Sequence, residues 1–467
     1  MVFLILFAGI QLGPDEAQYW TWSRHLDFGY YSKPPGIAWQ IYAGTLLFGQ
    51  TELGVRFGAV ILGALLAWAI YRLAEESGLS QNACFASGAM AALTPFGVLS
   101  SFLAITDCGM LLFWTLGLIE IVKGIQKKPY SPWMLGLWIG FGALFKWPIY
   151  LLWIVALWKL RSKHLIPGIL ISLLGLLPSV YWNASHEWAT FKHVFTIAKG
   201  GPETPAPGNP LEFFGAQVLI LSPVLFYLLS VGFYRMNLIQ NGSQKFLGRL
   251  TLGLFALFFT YSFFKKVQGN WAVYIYPSAF VYLAAYLEAA ANKWRLAAIG
   301  TGISVALLAV LFILPQFQTV LPWRLNPLQQ NLGWGVLEHW LSKNQKDAFL
   351  LSDKYQWTAE LSFYNPQKEG AYFFNLQGTR KNQYSYQLPP LKDQDGLFIF
   401  IEKAPRLANK FSSMDRFYKD QLVKYFDSVS EAEEIPMVVA KGETVKAAFC
   451  YRCKKYNGLR PDETDKY

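Results

Sequence analysis

A polar and aromatic insert, residues 13–36, separates two strongly apolar segments near the start of the chain. It opens with adjacent carboxylates, Asp15 and Glu16, and closes with Lys33 before two prolines. Carboxylates at the point where a hydrophobic helix meets water, followed by a cation, suit a site that handles a charged ligand at a membrane surface. A carboxylate there can take a proton, and a lysine can stabilise an anion.

Other ionisable and polar residues fall at the ends of later apolar runs, on the side of the membrane predicted for this insert. The most informative is Asp107, which stands alone between two hydrophobic runs, where a charge is costly unless it is paired or faces water. Cations beside such carboxylates fit recognition of a lipid phosphate, because ammonium groups act as point charges. Together with Glu16, the further candidate ligand-binding residues are Arg56, Lys146, His186, Lys265, Lys266 and Asn270.

Each of these residues also has a simpler explanation. The cations can be interfacial side chains that snorkel to water. Asp107 can cap a helix together with Thr106, and Asp15 can cap a helix in the same way. His186 can be a solvated loop residue; with His193 it could bind a metal, but their spacing is not a recognised ligand pattern.

The composition indicates a membrane protein. Of the 467 residues, 53% are hydrophobic and only 15% are charged, whereas soluble domains carry about 25% charged residues. The net charge of +11 is spread over short loops between apolar runs, so positive-inside topology explains it better than nucleic-acid binding. We expect a mainly α, polytopic helical protein with about eleven spans.

The apolar runs set the expected organisation. Residues 1–12 are expected to form the outer end of a first membrane helix. Residues 15–32 are expected to be amphipathic, and prolines at 34 and 35 to restart the chain as a second surface helix near 36–49. The later runs lie at 54–73, 83–104, 107–125, 132–147, 149–160, 165–182, 212–233, 248–264, 271–290 and 296–316.

From about residue 323 the apolar runs shorten to strand length. We therefore expect a transmembrane domain over 1–322 and a small soluble α/β domain over 323–467. Cys84 and Cys108 are expected in the core. Cys450 and Cys453 form a lone CxxC, for which a disulfide and unpaired thiols both remain open.

The order and spacing of several motifs resemble the bacterial family 39 glycosyltransferases. These are integral-membrane enzymes of the GT-C class, related to protein O-mannosyltransferases and to the lipid A aminoarabinose transferase. The motifs are Asp-Glu-Ala-Gln-Tyr-Trp-Thr-Trp-Ser (15–23), Gly-Tyr-Tyr-Ser-Lys-Pro-Pro (29–35), Thr-Asp (106–107), Tyr-Trp-Asn-Ala-Ser-His-Glu-Trp-Ala-Thr-Phe (181–191), Gln-Gly-Asn-Trp (268–271), Asp-Lys-Tyr-Gln-Trp-Thr-Ala-Glu-Leu-Ser-Phe-Tyr (353–364) and Arg-Lys-Asn-Gln-Tyr (380–384).

The resemblance implies inverting transfer of a sugar from a polyprenyl-phosphate donor to a cell-envelope acceptor, preferably a lipid A-type glycolipid rather than a protein. The site would face the periplasm from the bacterial inner membrane. Asp15 is then the expected catalytic base, Asp107 the second acidic residue, and Lys33 the donor-phosphate ligand. Relatives that modify lipid A have Glu directly before Lys-Pro-Pro, where it helps to hold a metal, whereas this chain has Ser32. The resemblance therefore implies no certain cofactor and leaves a divalent metal open.

Two other classes of protein remain as alternatives. A transporter or flippase of an amphipathic lipid also places charges within a membrane, but such proteins are usually built from paired halves, and the sequence has no such repeat. A receptor or scaffold that presents the C-terminal domain explains neither the adjacent carboxylates nor the outer lysines.

Overall fold

The computed structural model describes most of the chain. The described residues are 2–199, 208–290, 293–313, 323, 326, 328–379, 381–386, 392–404 and 406–461. The predicted domain boundary after residue 322 and the first residue of the Arg380 motif lie outside them.

Helices make up most of the described chain. They are α1 (Val2–Phe7), α2 (Pro14–Ser23), α3 (Gly36–Phe48), α4 (Glu52–Glu76), α5 (Gln81–Leu93), α6 (Pro95–Phe102), α7 (Thr106–Ile125), α8 (Pro132–Ala143), α9 (Leu151–Leu160), α10 (Ile166–Leu173), α11 (Leu177–Ser185), α12 (Ala189–Lys199), α13 (Pro210–Leu221), α14 (Pro223–Tyr234), α15 (Gly242–Tyr261), α16 (Ile275–Ala289), α17 (Trp294–Ile313), α18 (Trp334–Asn344), α19 (Tyr355–Tyr364) and α20 (Arg406–Leu422). The strands are β1 (Phe349–Ser352), β2 (Tyr372–Phe373), β3 (Gly396–Lys403), β4 (Phe426–Val429), β5 (Glu433–Ala440) and β6 (Glu443–Tyr456).

The apolar runs fold as helices, several of them shorter than a membrane span. By length and composition, 4 helices in the described chain can cross a membrane, or up to 6 if each of two bent pairs is one span. The expected number of about eleven is higher because it counts runs such as α8, whose 12 residues rise only about 18 Å against the ~30 Å of a bilayer core. Prolines at helix starts explain the breaks, since they cannot donate the backbone hydrogen bond that continues a helix.

The bent pairs show this effect of proline. Helices α5 and α6 meet at 63° before Pro95, and α13 and α14 meet at 102° before Pro223. Ser222, at the second bend, has a φ of 91°, which a non-glycine residue rarely adopts. Sequence hydropathy is continuous through both bends, so it predicts each pair as one straight run.

The chain divides into two compact units. The first comprises 1–2, 26–43 and 56–310, and the second comprises 3–25, 44–55 and 311–467. In the first unit, every residue of α16 from Ile275 to Leu287 is buried, as expected for a helix that is apolar on all sides. Its Tyr282 hydroxyl donates to the Gly232 carbonyl at 2.7 Å, which satisfies the phenol inside the core.

The second unit contains the mixed sheet that strand-length apolar runs predict. Its strand order is β2-β1-β3-β6-β4, with β5 also paired to β6. The β1 strand is parallel to β2 and β3, whereas β6 is antiparallel to its neighbours. Strand β3 is buried along most of its length, and aromatic side chains such as Phe398, Phe400 and Tyr418 form the core beside it.

Two N-terminal segments belong to this second unit, which the sequence did not predict. The Leu12 amide donates to the Tyr364 hydroxyl at 2.7 Å, and that hydroxyl donates to Glu52 at 3.2 Å. Trp20 of α2 packs edge-on against Phe363 of α19, with ring centroids 5.0 Å apart. Helix α2 is therefore fixed to the domain formed by the end of the chain.

The four cysteines are all buried, and none of them forms a disulfide. Cys84 and Cys108 lie in the core, as expected. Cys450 and Cys453 both lie on β6, three residues apart, so their side chains point to opposite faces of the sheet. Of the two alternatives that the sequence left open, the extended strand is therefore compatible with two thiols and not with a disulfide between them.

Candidate active site

A buried ion pair lies at the start of α7 in the first unit. Lys146 Nζ is 2.7 Å from Asp107 Oδ1, and the side chains are 20% and 5% exposed, respectively. Asn270 approaches the other carboxylate oxygen, Oδ2, at 3.4 Å. Three residues that the sequence placed on one side of the membrane therefore meet in one cluster, which we call the Asp107 cluster.

Asp107 does not act as the side-chain cap of its helix. The residue before α7 is Ile105, and no side chain caps that end. Thr106 is the first helical residue and Asp107 lies in the first turn, where a carboxylate is favoured by the helix dipole. The helix-cap explanation is therefore replaced by the contact with Lys146.

Glycines allow the loop that carries Lys146 to approach closely. The Gly36 amide donates to the Leu144 carbonyl at 2.7 Å, and a Cβ at Gly36 would meet that oxygen at 2.7 Å. On α7, a Cβ at Gly109 would lie 2.5 Å from the Phe145 ring. The two residues before Lys146 thus pack against glycines at which a Cβ would force a neighbouring group to move.

Arg56 and Lys266, two of the other predicted cations, have different partners. Arg56 is fully buried, and its guanidinium lies 4.4 Å from the Phe102 ring centroid, a cation–π contact. Lys266 pairs with Glu212 at 3.2 Å, but both side chains are about half exposed, so the pair contributes little stability. Lys265, which precedes it, is half-buried.

The segment before Lys33 is an ordered loop rather than the predicted amphipathic helix, because α2 ends at Ser23. Asp27, which the sequence analysis missed, organises this loop: its Oδ2 accepts from Trp182 Nε1 at 2.9 Å, and its carbonyl accepts from Trp39 Nε1 at 3.1 Å. The Tyr30 amide donates to the Lys33 carbonyl at 3.1 Å. The signal available in the sequence was an acid inside the aromatic insert.

The histidines have aromatic surroundings. His186 stacks on Trp182 with ring centroids 4.0 Å apart, and its Nδ1 lies 2.9 Å from the Trp182 carbonyl. His193 is buried, with its ring centroid 5.3 Å from that of Tyr31. In the part of the chain that the structure describes, no three His, Cys, Asp or Glu side chains are grouped so that they could hold a metal ion.

In the second unit, the two adjacent carboxylates at the start of α2 differ in their exposure to solvent. Glu16 is 2% exposed, and its Oε2 accepts the Gly13 amide at 3.0 Å, which satisfies one of the free donors at the helix start. Asp15 is exposed. Both residues lie in the same turn of α2, and their different burial is visible only in the structure.

This arrangement is that of a polytopic helical membrane protein with a buried acid–lysine pair at a helix start and an α/β domain. The family model for dolichyl-phosphate-mannose-protein mannosyltransferases matches residues 32–182. The lipid A galacturonosyltransferase RgtD of Rhizobium johnstonii is 28% identical over 336 residues, 69% of this chain and 70% of that protein.

Solved structures extend the similarity to the fold of almost the whole chain. ArnT from Cupriavidus metallidurans, in the apo state and bound to undecaprenyl phosphate, matches with a TM-score of 0.64 and 13% identity over 96% of both chains. The chain is thus similar in part of its sequence to known glycosyltransferases, and it shares its fold with ArnT.

Proposed function

We propose that the protein transfers a sugar from a polyprenyl-phosphate donor to a lipid A-type glycolipid at the periplasmic face of the inner membrane. The observation that carries this proposal is the Asp107 cluster, a buried acid–lysine pair in a chain similar to RgtD, a lipid A galacturonosyltransferase. The ArnT structure with undecaprenyl phosphate supports a polyprenyl donor by similarity of fold.

The chemistry requires a base and a group that stabilises the leaving phosphate. An acceptor hydroxyl needs a carboxylate within hydrogen-bond reach to take its proton as the bond to the anomeric carbon forms. We assign this role to Asp15, because its carboxylate is exposed while the Glu16 carboxylate holds the start of α2. A single base without a nucleophile implies inversion of the anomeric carbon, unlike hydrolases with two flanking carboxylates.

We assign to Lys33 the role of binding the leaving lipid phosphate, because its ammonium group would stabilise the charge that develops there. The ordered loop that precedes Lys33, held through Asp27 and Trp182, supports this role because a fixed backbone limits the positions of the ammonium group. Asp107 is assigned as the second acidic residue, with Lys146 and Asn270 holding its carboxylate.

The test uses the purified full-length protein with a radiolabelled undecaprenyl-phosphate sugar and a lipid A-type acceptor. We expect Asp15→Asn to lower transfer by at least about 100-fold, the usual scale for removing a general base. Asp420→Asn, a change at an exposed position on α20, is the matched control. Transfer that is unchanged in Asp15→Asn, with lipid movement abolished, would favour a flippase and refute the proposal.

The orientation can be tested separately by cysteine labelling. We propose that residues 323–467 form a periplasmic domain and that the loop around Lys128 is cytoplasmic. A cysteine beside Glu369 should then react with an impermeant maleimide in spheroplasts, whereas one beside Lys128 should not. The opposite labelling pattern would reverse the proposed sidedness.

A further inference from the structure

The second unit contains a charged cavity of about 550 Å³. It is lined by the first turn of α2, parts of α18 and α19, the end of β3 and one residue of β6. Its ionisable lining residues are Lys354, Glu360, Glu402, Lys403 and Lys446. We call it the lysine cavity.

Two of its lysines lie directly opposite each other on neighbouring strands. Lys403 on β3 is the direct antiparallel partner of Lys446 on β6, and like charges at such a position repel. Lys446 is 1% exposed, and its Nζ donates to the Leu332 carbonyl at 2.7 Å and the Gln330 carbonyl at 3.2 Å. An anion in the cavity would relieve this repulsion.

The buried carboxyl group of the cavity has an unused hydrogen-bonding atom. Glu360 is 2% exposed, and its Oε1 has no hydrogen-bond partner among the described residues. A buried polar atom without a partner is costly, so this oxygen points to a ligand group that can bond to it. Burial raises the pKa of Glu360 well above its usual value, which reduces its negative charge beside the lysines.

We propose that the lysine cavity binds the anionic sugar headgroup of the acceptor glycolipid. Lys403 and Lys446 contact its phosphate or carboxylate oxygens, and Glu360 contacts a sugar hydroxyl. This assignment rests on the proposed function, since the acceptor is the substrate whose hydroxyl must reach the base. Pro14 lines the cavity and directly precedes Asp15, so a headgroup held there lies beside the first turn that carries the proposed base.

The test compares acceptors in a steady-state assay with saturating donor. The probes are a bis-phosphorylated glucosamine-disaccharide lipid, its dephosphorylated form, and a dephosphorylated form that carries a uronic acid. We expect Lys403→Met to raise KM about tenfold for an acceptor whose anionic group binds in the cavity. A tenfold change corresponds to the loss of about one charge-assisted hydrogen bond. KM for the dephosphorylated lipid should not change. Whether the phosphate or the uronate lipid responds identifies the anion.

The matched control is Lys424→Met, which removes the same charge from an exposed position of the second unit outside the cavity. An equal rise in KM for charged and uncharged acceptors, or no difference between the two variants, would overturn the proposal. Consumption of the donor is measured separately, because it tests the proposed function independently of the lysine cavity. If the wild-type protein consumes no polyprenyl-phosphate sugar, the proposed function itself fails.

The pH dependence supplies a second readout. Burial lowers the pKa of Lys446 to about 7, so the cavity gains positive charge as the pH falls through neutrality. The groups that face it are Glu360 and Lys354 from the α19 side and Glu402 and Lys403 from β3. KM for the anionic acceptor should fall between pH 8 and 6, and Lys446→Met should flatten this profile. A profile that is identical in the variant would contradict the role of Lys446.

Discussion

Replacing Lys146 with methionine should destabilise the protein strongly, because it leaves the Asp107 carboxylate buried without its partner. The two groups are 2.7 Å apart, and only 5% of the Asp107 side chain is exposed. Removing one partner of a buried ion pair costs about 3–5 kcal/mol. Since 20% of the Lys146 side chain reaches solvent and Asn270 remains at 3.4 Å, we expect the lower end, about 3 kcal/mol.

The assay is thermal unfolding of detergent-purified variants followed by tryptophan fluorescence. A loss of about 3 kcal/mol should lower Tm by on the order of 5 °C. The double variant Lys146→Met, Asp107→Asn should recover much of this loss, because no uncompensated charge remains. Lys266→Met is the matched control, since its ion pair with Glu212 is exposed and is worth at most about 1 kcal/mol.

Two outcomes would refute this reasoning. One is a Tm for Lys146→Met equal to that of the control, which would mean that water already solvates the Asp107 carboxylate. The other is additive losses in the double variant, which would mean that the two side chains are not coupled. Either result would also weaken the case for Asp107 as an acid held in place by Lys146.

Three further variants or treatments test other parts of the structure. Gly109→Ala should lower Tm, because the new Cβ would lie 2.5 Å from an aromatic ring and overpacking costs about 1–3 kcal/mol. Tyr364→Phe should cost about 1–3 kcal/mol, because the buried Leu12 amide loses its acceptor. A reducing agent should leave Tm unchanged, because Cys450 and Cys453 are unpaired, and maleimide should modify them only after unfolding. The control for Gly109→Ala is Gly253→Ala, where a new Cβ meets open space, and the control for Tyr364→Phe is Tyr234→Phe, at a residue that is 88% exposed. An equal loss of stability in a variant and its control would contradict the first two expectations. A shift of Tm with the reducing agent would contradict the third.

Local patterns predicted much of the fold. Strand-length apolar runs became β1, β2 and β3, and the prolines before Gly36 ended one segment and began α3, as expected. These features depend on a few neighbouring residues, through side-chain alternation and the missing proline amide. The bends before Pro95 and Pro223 were missed, because hydropathy averages over a window and does not record a change of direction.

Contacts between distant residues could not be predicted in the same way. The sequence placed Asp107 and Lys146 on one side of the membrane, but their contact depends on close approach at Gly36 and Gly109. The association of Leu12 with Tyr364 joins residues at opposite ends of the chain. Periodicity carries no information on such pairs, so the composition of the second unit had to come from the structure.

The division of the ionisable residues between the two units bears on how substrate specificity is built. The first unit holds the Asp107 cluster and Lys33, and the second holds Asp15 and the lysine cavity. The group that we assign to the donor phosphate therefore belongs to one compact unit, and the groups that we assign to the acceptor belong to the other. Substitutions in the lysine cavity should therefore change acceptor preference without changing donor hydrolysis, because Lys33, which we assign to the donor phosphate, belongs to the other unit.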